Sequence, residues 1–395
     1  MKMLNNIKSD RTVWIIVLLI CIFSLLVVYS SSNVLAHKFR HGDTASFLFK
    51  QFLVIAVGFG LMIGMHFINY KYYSRLSQLA YLCILPLLVL TLVMGKSENG
   101  AERWLDVFGF SVQTSEIAKL VLIIYVARVL TVKQEQLKNF GVILLHLILP
   151  ISLVCVLILP ANFSTAAMLF VICFVMMFLG QVPLKFMAIL TGGGLVLLFL
   201  FGFWVWKSPE DFKRGETWKA RIAHFFHIDT GNNITHDLTK NSEENFQADM
   251  AKMAIANGKI FGVGPGNSIQ KGVLPQASSD FIFAVFVEEY GLIFGVGLIF
   301  LYMTLFFRGI AILKKTDKVF GGLMVVGLSF AIIFQAFINM AVAIGLFPVT
   351  GQPLPMFSSG GTSILFTLAA IGIILSVSRR SAMEKEGKGG ELEAA

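Results

Sequence analysis

Apolar stretches long enough to cross a bilayer recur from one end of this chain to the other. A spanning helix needs about 20 predominantly apolar residues. Lipid offers no partner for backbone N–H and C=O groups, so only helices and closed barrels span it. Barrel strands read as short alternating segments, and these runs do not alternate. The chain is therefore expected to be an all-α polytopic membrane protein. Composition agrees: of 395 residues, 56% are hydrophobic and 14% charged, against about 25% charged in a soluble domain.

About ten transmembrane helices are expected, over 12–32, 47–68, 77–95, 115–131, 141–159, 163–180, 186–206, 281–307, 321–344 and 362–378. The division at Pro160–Asn162 follows from length, because 141–180 unbroken would be 40 residues, twice what a bilayer needs. The first run follows Lys2, Lys8 and Arg11 but lacks a small-residue cleavage site, so it is expected to be a retained helix. Residues 1–380 read as a single integral membrane domain, with a large extracytoplasmic loop at 207–280 between helices 7 and 8. Residues 381–395 form a polar tail.

Basic residues in short loops set the orientation. Seventeen Lys and Arg lie on the side of the two termini, against five (Lys38, Arg40, Lys50, Lys96 and Arg103) on the other. Both termini are therefore expected in the cytoplasm, with loop 207–280 and Asp280 outside. The net charge of +9 is spread over membrane-flanking loops, which argues against nucleic acid and for an anionic lipid surface. Cys21, Cys83, Cys155 and Cys173 all lie in apolar segments, with neither a disulfide framework nor metal-ligand spacing.

Chemistry is expected on the outer loops, because the cytoplasmic ones look like plain basic anchors. In LPQASSDFIFAVFVEEYG (274–291), Asp280 stands where a polar loop enters an apolar run. It reads either as part of an N-cap with Ser278 and Ser279 or as a functional acid. Glu288 and Glu289 read as interfacial or inter-helix contacts, or as part of the site. In GAERWLDVFGFSVQTSEIAK (100–119), Glu116 and Lys119 are three apart, share a helix face and can pair. The alternative is an anion site, with Arg103 and Lys119 facing a phosphate and Glu116 orienting Lys119. Trp104 reads as an interface anchor.

FGVGPGNSIQK (261–271) lacks GK[ST] and has no preceding strand, so it is read as a tight turn presenting backbone amides rather than a nucleotide loop. TWKARIAHFFHI (217–228) reads as an interfacial amphipathic helix. Its His224 and His227 lack a third ligand for zinc. PVTGQPLPMFSSGGTS (348–363) is irregular backbone between two spans, tolerated at membrane depth only when buried in protein or lining a polar cavity.

Together these stretches resemble the SEDS family of cell-wall polymerases (shape, elongation, division and sporulation), which includes FtsW and RodA. GAERWLDVFGFSVQTSEIAK resembles GARRWLxxGxxxxQPSExAK. FGVGPGNSIQKGVLPQASSDFIFAVFVEEYGLIFG resembles FGxGxGNSxQKxxxLPExHxDFIFAxxxEExGxxG. GLFPVTGQPLPMFSSGGTS resembles GLLPVTGxxLPFxSYGGSS. Order and spacing agree over roughly residues 12–380, and NSIQK is nearer to the FtsW branch.

The resemblance implies a peptidoglycan glycosyltransferase of the bacterial cytoplasmic membrane that polymerises lipid II, with undecaprenyl diphosphate as leaving group. It implies Asp280 as general base. It places Arg103, Trp104, Glu116, Lys119, Lys271, Glu288, Ser358, Gly360 and Gly361 around the substrate. A divalent cation, Mg or Mn, is implied as a helper with ligands unknown, and no organic cofactor. Implied partners are a class B penicillin-binding protein and membrane proteins of the divisome or elongasome. Departures are Asn162 for the acid of QPDxGT, Ser359 for the tyrosine of SYGG, Gln276 for the glutamate of LPE, and Ser278 for a histidine. The alternatives are a lipid II flippase, which needs a polar path across the bilayer, and a non-catalytic scaffold for the transpeptidase.

Overall fold

The computed structural model describes residues 9–39, 44–98, 101–107, 110–207, 238–272, 274 and 277–393. In chain order the helices are α1 (Arg11–Phe39), α2 (Thr44–Phe67), α3 (Tyr70–Met94), α4 (Thr114–Val132), α5 (Phe140–Ile158), α6 (Phe163–Leu179) and α7 (Leu184–Lys207). They continue with α8 (Leu238–Gly258), α9 (Ile282–Tyr290), α10 (Leu292–Lys315), α11 (Val319–Ala343) and α12 (Gly361–Glu393). Among the described residues, seven helices are long and apolar enough to cross a membrane: α1, α2, α3, α5, α10, α11 and α12. The protein is thus a multi-pass helical membrane protein. Its surface confirms the solvent it is built for: Leu79, Leu82 and Val93 on α3 point outward with 59%, 64% and 76% exposure, which only lipid or another protein tolerates.

Four features depart from the sequence expectation. The chain expected to be all-α carries, between the spans at 77–95 and 115–131, β1 (Lys96–Glu98), β2 (Ala101–Val107) and β3 (Phe110–Gln113), an antiparallel sheet in the order β1-β2-β3. The span expected at 281–307 is two helices, because Gly291 at φ 87°, ψ 170° interrupts it. Loop 207–280 contains the 21-residue helix α8, whereas the interfacial helix expected at 217–228, with His224 and His227, lies outside the described residues. α12 continues beyond the expected span, through Arg379 and Arg380 to Glu393.

The core centres on α11 and the first half of α12, whose residues are mostly buried against α2, α4, α6 and α10. Small residues let the helices approach, as they do in membrane bundles. A Cβ on Gly372 of α12 would stand 2.5 Å from the Met62 carbonyl of α2. Pro150 in α5 cannot donate to the His146 carbonyl one turn back. The Tyr125 hydroxyl of α4 donates to that carbonyl at 3.3 Å, and the helix widens to a π turn over Leu144–Ile148.

Candidate active site

Two loops meet at one end of the bundle, and their meeting places Asp280. Three consecutive backbone carbonyls before α9 each accept a hydrogen bond from a side chain of another segment. Ser359 donates to the Ser278 carbonyl through both its amide and its hydroxyl, each at 2.8 Å. The Ser358 hydroxyl donates to the Ser279 carbonyl at 2.6 Å. The Asn339 side-chain amide donates to the Asp280 carbonyl at 2.8 Å. Such over-determination is what a reactive side chain needs from its surroundings. The N-cap position of α9 is Phe281, without a side-chain cap bond, so the capping position expected of Ser278–Asp280 lies one residue further on. Asp280 itself is half-buried.

The Pro/Gly segment on the other side of this junction is folded by the same logic. Its backbone lies inside the protein, and each carbonyl there requires a donor. Asn339 donates to the Gln352 carbonyl at 2.8 Å and Gln335 to the Pro353 carbonyl at 2.9 Å. The Leu354 carbonyl receives the amides of Phe357 and Ser358, and Tyr302 donates to the Pro355 carbonyl. Ser24 of α1 donates to the Phe357 carbonyl at 2.8 Å. The turn is tight enough to hold Met356, fully buried, at φ 61°, a left-handed conformation that a side chain adopts only when its neighbours enforce it. Ser358 is buried, whereas Gly360 and Gly361 are half-buried where α12 begins.

Glu116 and Lys119 enter from α4. Glu116 lies in the first turn, where an acid suits the helix dipole. Lys119 Nζ stands 3.0 and 2.9 Å from its two oxygens, with Glu116 2% and the lysine side chain 11% exposed. The pairing read from their spacing is thus present. Lys119 also donates to Gln335 Oε1 at 2.6 Å, and Gln335 holds Pro353. One polar ladder therefore runs from Glu116 through Lys119 and Gln335 to the Pro/Gly loop. Asn339, one turn further along α11, then reaches the Asp280 carbonyl. Gln335 and Asn339 belong to none of the motifs that stand out in the sequence. Their signal was available: two amides four residues apart inside the apolar run 321–344, costly unless used.

Arg103 and Trp104 lie on β2, where Trp104 is half-buried and pairs with Gln113 of β3. The Arg103 side chain lies outside the described residues, as does Gln276.

Lys271, Glu288 and Glu289 form a second cluster. Fully buried Glu288 accepts from the Ser268 hydroxyl and from the amides of Ile269 and Gln270, both at 3.4 Å. Fully buried Glu289 accepts from Ser30 of α1 and pairs with Lys271 at 3.6 Å. The glycine-rich stretch docks on the same place. The amides of Val263 and Gly264 donate to the carbonyls of Glu288 and Glu289 at 2.9 and 3.0 Å, and Leu292 donates back to Lys259 at 2.9 Å. A Cβ on Gly262 would stand 2.3 Å from the Glu289 carbonyl, and one on Gly291 the same distance from that of Ile260. FGVGPGNSIQK is thus a backbone-to-backbone lock on the break between α9 and α10.

Asn162, in the PANFST element, caps α6: its Oδ1 accepts from the Thr165 amide at 3.2 Å. Thr165 Oγ1 in turn accepts from Gln352 at 2.5 Å, so this loop also buttresses the Pro/Gly segment. Among the described residues no three His, Cys, Asp or Glu side chains stand together as a protein-held metal would require.

The sequence profile of the FtsW/RodA/SpoVE family, described as "Cell cycle protein", matches residues 10–383. A probable peptidoglycan glycosyltransferase FtsW of Geobacter sulfurreducens is 31% identical over 383 residues, covering 95% of this chain and 97% of the relative. The corresponding Bacillus subtilis protein is 32% identical over 387 residues, covering 95% and 92%. Stage V sporulation protein E of Bacillus subtilis is 32% identical over 383 residues, covering 95% and 98%. Among solved structures, a chain from "Structural coordination of polymerization and crosslinking by a peptidoglycan synthase complex" superposes with a TM-score of 0.72 at 24% identity, covering 94% of this chain and 98% of that one. The rod shape determining protein RodA of Thermus thermophilus gives 0.67 at 23% identity, covering 95% and 98%. At those identities the structural likeness speaks for the fold.

Proposed function

The chain belongs to the FtsW/RodA/SpoVE cell cycle protein family, and from that premise we propose that it is a peptidoglycan glycosyltransferase that extends glycan strands from lipid II. The acceptor sugar's 4-hydroxyl attacks the anomeric carbon of the lipid-linked donor. The bond from that carbon to the diphosphate oxygen breaks, the electron pair leaves with undecaprenyl diphosphate, and configuration inverts. Asp280 takes the proton of the attacking hydroxyl as general base. The observation that carries this reading is the restraint of the Ser278, Ser279 and Asp280 carbonyls by three side chains, which sets one acid at the junction of the family's motifs.

The departing diphosphate requires compensating charge, which in transfers of this type is a large contribution. Lys119 and Arg103 supply it in this reading, with Glu116 and Gln335 orienting the lysine. A divalent cation, Mg or Mn, would add positive charge beside the diphosphate, although the described residues hold no cluster of three His, Cys, Asp or Glu for it. The protein works at the outer face of the bacterial cytoplasmic membrane with both termini inside. Its partner is a class B penicillin-binding protein, and its programme is division rather than elongation.

Purified protein, with and without such a partner, given labelled lipid II should make long glycan chains, and Asp280→Asn should make none. Chains of normal length from the variant would remove Asp280 from the mechanism. Chains from neither protein, alongside transport of lipid II between leaflets, would favour a flippase.

A further inference from the structure

α11 is apolar except for a few buried polar groups, and two of these, Gln335 and Asn339, are each 1% exposed and one turn apart. Burying a side-chain amide in a membrane helix is unfavourable unless its hydrogens are taken up. Asn339 uses its Nδ2 twice: on the Asp280 carbonyl and on the Gln352 carbonyl, both at 2.8 Å. It is thus a clamp between the turn that carries the acid and the Pro/Gly loop. The groups it joins have other anchors. Ser358 and Ser359 hold the two residues before Asp280, and Gln335 holds the loop residue after Gln352. Ser358 and Ser359 tie the turn to the loop from within the loop, whereas Asn339 reaches both segments from a third element, α11, and its bond is made to the carbonyl of Asp280 itself.

We propose that Asn339 is a positioning residue for the base: by fixing the Asp280 carbonyl against the Gln352 carbonyl it sets where the Asp280 carboxylate meets the acceptor hydroxyl. The proposal rests on the reading of Asp280 as general base. Asn339 touches no reacting atom. Its removal is expected to change how often the carboxylate occupies the productive geometry, not how well lipid II is held. A misplacement of about 1 Å at such a point lowers turnover by roughly 100-fold.

The test compares the full-length wild type with Asn339→Ala, Asn339→Asp and Asp280→Asn, each in detergent and in liposomes with labelled lipid II. Asn339→Asp keeps the shape and loses the two amide hydrogens. Ser329→Ala, which alters another buried polar residue of α11 away from the ladder, serves as the control. Initial rates give kcat and KM, and hydrogen exchange reports the amides of 278–284. The expected result is a kcat lower by roughly 100-fold in both Asn339 variants with KM within threefold. Exchange should be faster at 278–284 but unchanged along α11. Wild-type kcat or unaltered exchange at 278–284, with Asp280→Asn inactive, overturns the positioning role and leaves the base in place. Active Asp280→Asn overturns the base and this role with it. Loss of protection along all of α11 assigns Asn339 to folding and overturns the proposal.

Discussion

Lys119 Nζ lies 2.6 Å from Gln335 Oε1 while holding both oxygens of Glu116. The lysine therefore joins α4 to α11 from inside the bundle. Lys119→Met should leave the Glu116 carboxylate buried without its counter-charge, at a cost of about 3–5 kcal/mol. The double variant Glu116→Leu/Lys119→Met, which removes both charges, should recover much of that loss. Thermal unfolding in detergent checks the order of the two, and recovered stability should come without recovered polymerisation. Polymerisation at the wild-type rate in the double variant would take Lys119 out of the diphosphate site.

Adjacent serines should behave differently. The Ser358 hydroxyl donates to the Ser279 carbonyl at 2.6 Å and accepts the Leu354 amide at 2.7 Å. Ser358→Ala strands the buried Leu354 amide, at about 1–3 kcal/mol, and frees the half-buried Ser279 carbonyl as well. Ser359 holds the Ser278 carbonyl with its amide as well as its hydroxyl. Ser359→Ala keeps the amide bond and should lose no more than about 1 kcal/mol. Unfolding midpoints of the two variants, measured side by side, decide it, and equal losses would contradict the assignment.

The helical frame was legible because membrane spans announce themselves by length and apolarity, and all ten stretches carry helix. The sheet was not. β2 is seven residues with Arg103, Trp104 and Asp106 among them, too short and mixed for an alternating pattern to stand out. The break at Gly291 was hidden because glycine is ordinary in membrane helices; only the backbone of 258–264 packed against it explains its φ. Asp280, Glu116 and Lys119 were found because charge is conspicuous in an apolar run. Gln335 and Asn339 were overlooked because neutral amides are not. The partners of Lys271 and Glu289 could not be read at all: spacing shows which residues share a helix face, not that Ser30, more than 200 positions away in sequence, meets both.

Gly291 is expected to tolerate no side chain. Its φ of 87° lies outside the comfortable range of L-residues, and an added Cβ would meet the Ile260 carbonyl at 2.3 Å and the Gly262 nitrogen at 2.5 Å. Backbone strain of this kind costs about 1–3 kcal/mol, and separating the 258–264 turn from α9 adds the loss of its hydrogen bonds. Gly291→Ala should lower the unfolding temperature in detergent markedly. By comparison Gly297→Ala, on the same helix α10 with open space where the Cβ would go, should be neutral or slightly stabilising. Similar unfolding temperatures for both variants would show that the lock is not what holds the helix break.

Asn162 stands where the resemblance leads one to expect an acid, and its contacts explain how the chain manages without one. Its Oδ1 caps α6 through the Thr165 amide, while its Nδ2 is buried without a hydrogen-bond partner among the described residues. The capping oxygen is the part of the side chain in use, and a carboxylate or an amide supplies it equally well at a helix N-terminus. Asn162→Ala should therefore lose about 1 kcal/mol of stability, as cap removal does. Asn162→Asp should keep most of the cap. Neither should abolish chain synthesis on labelled lipid II, because the residue reaches the Pro/Gly loop only at second hand, through Thr165 and Gln352. An Asn162→Ala variant that makes no chains yet keeps its unfolding temperature would place its role in chemistry rather than in capping.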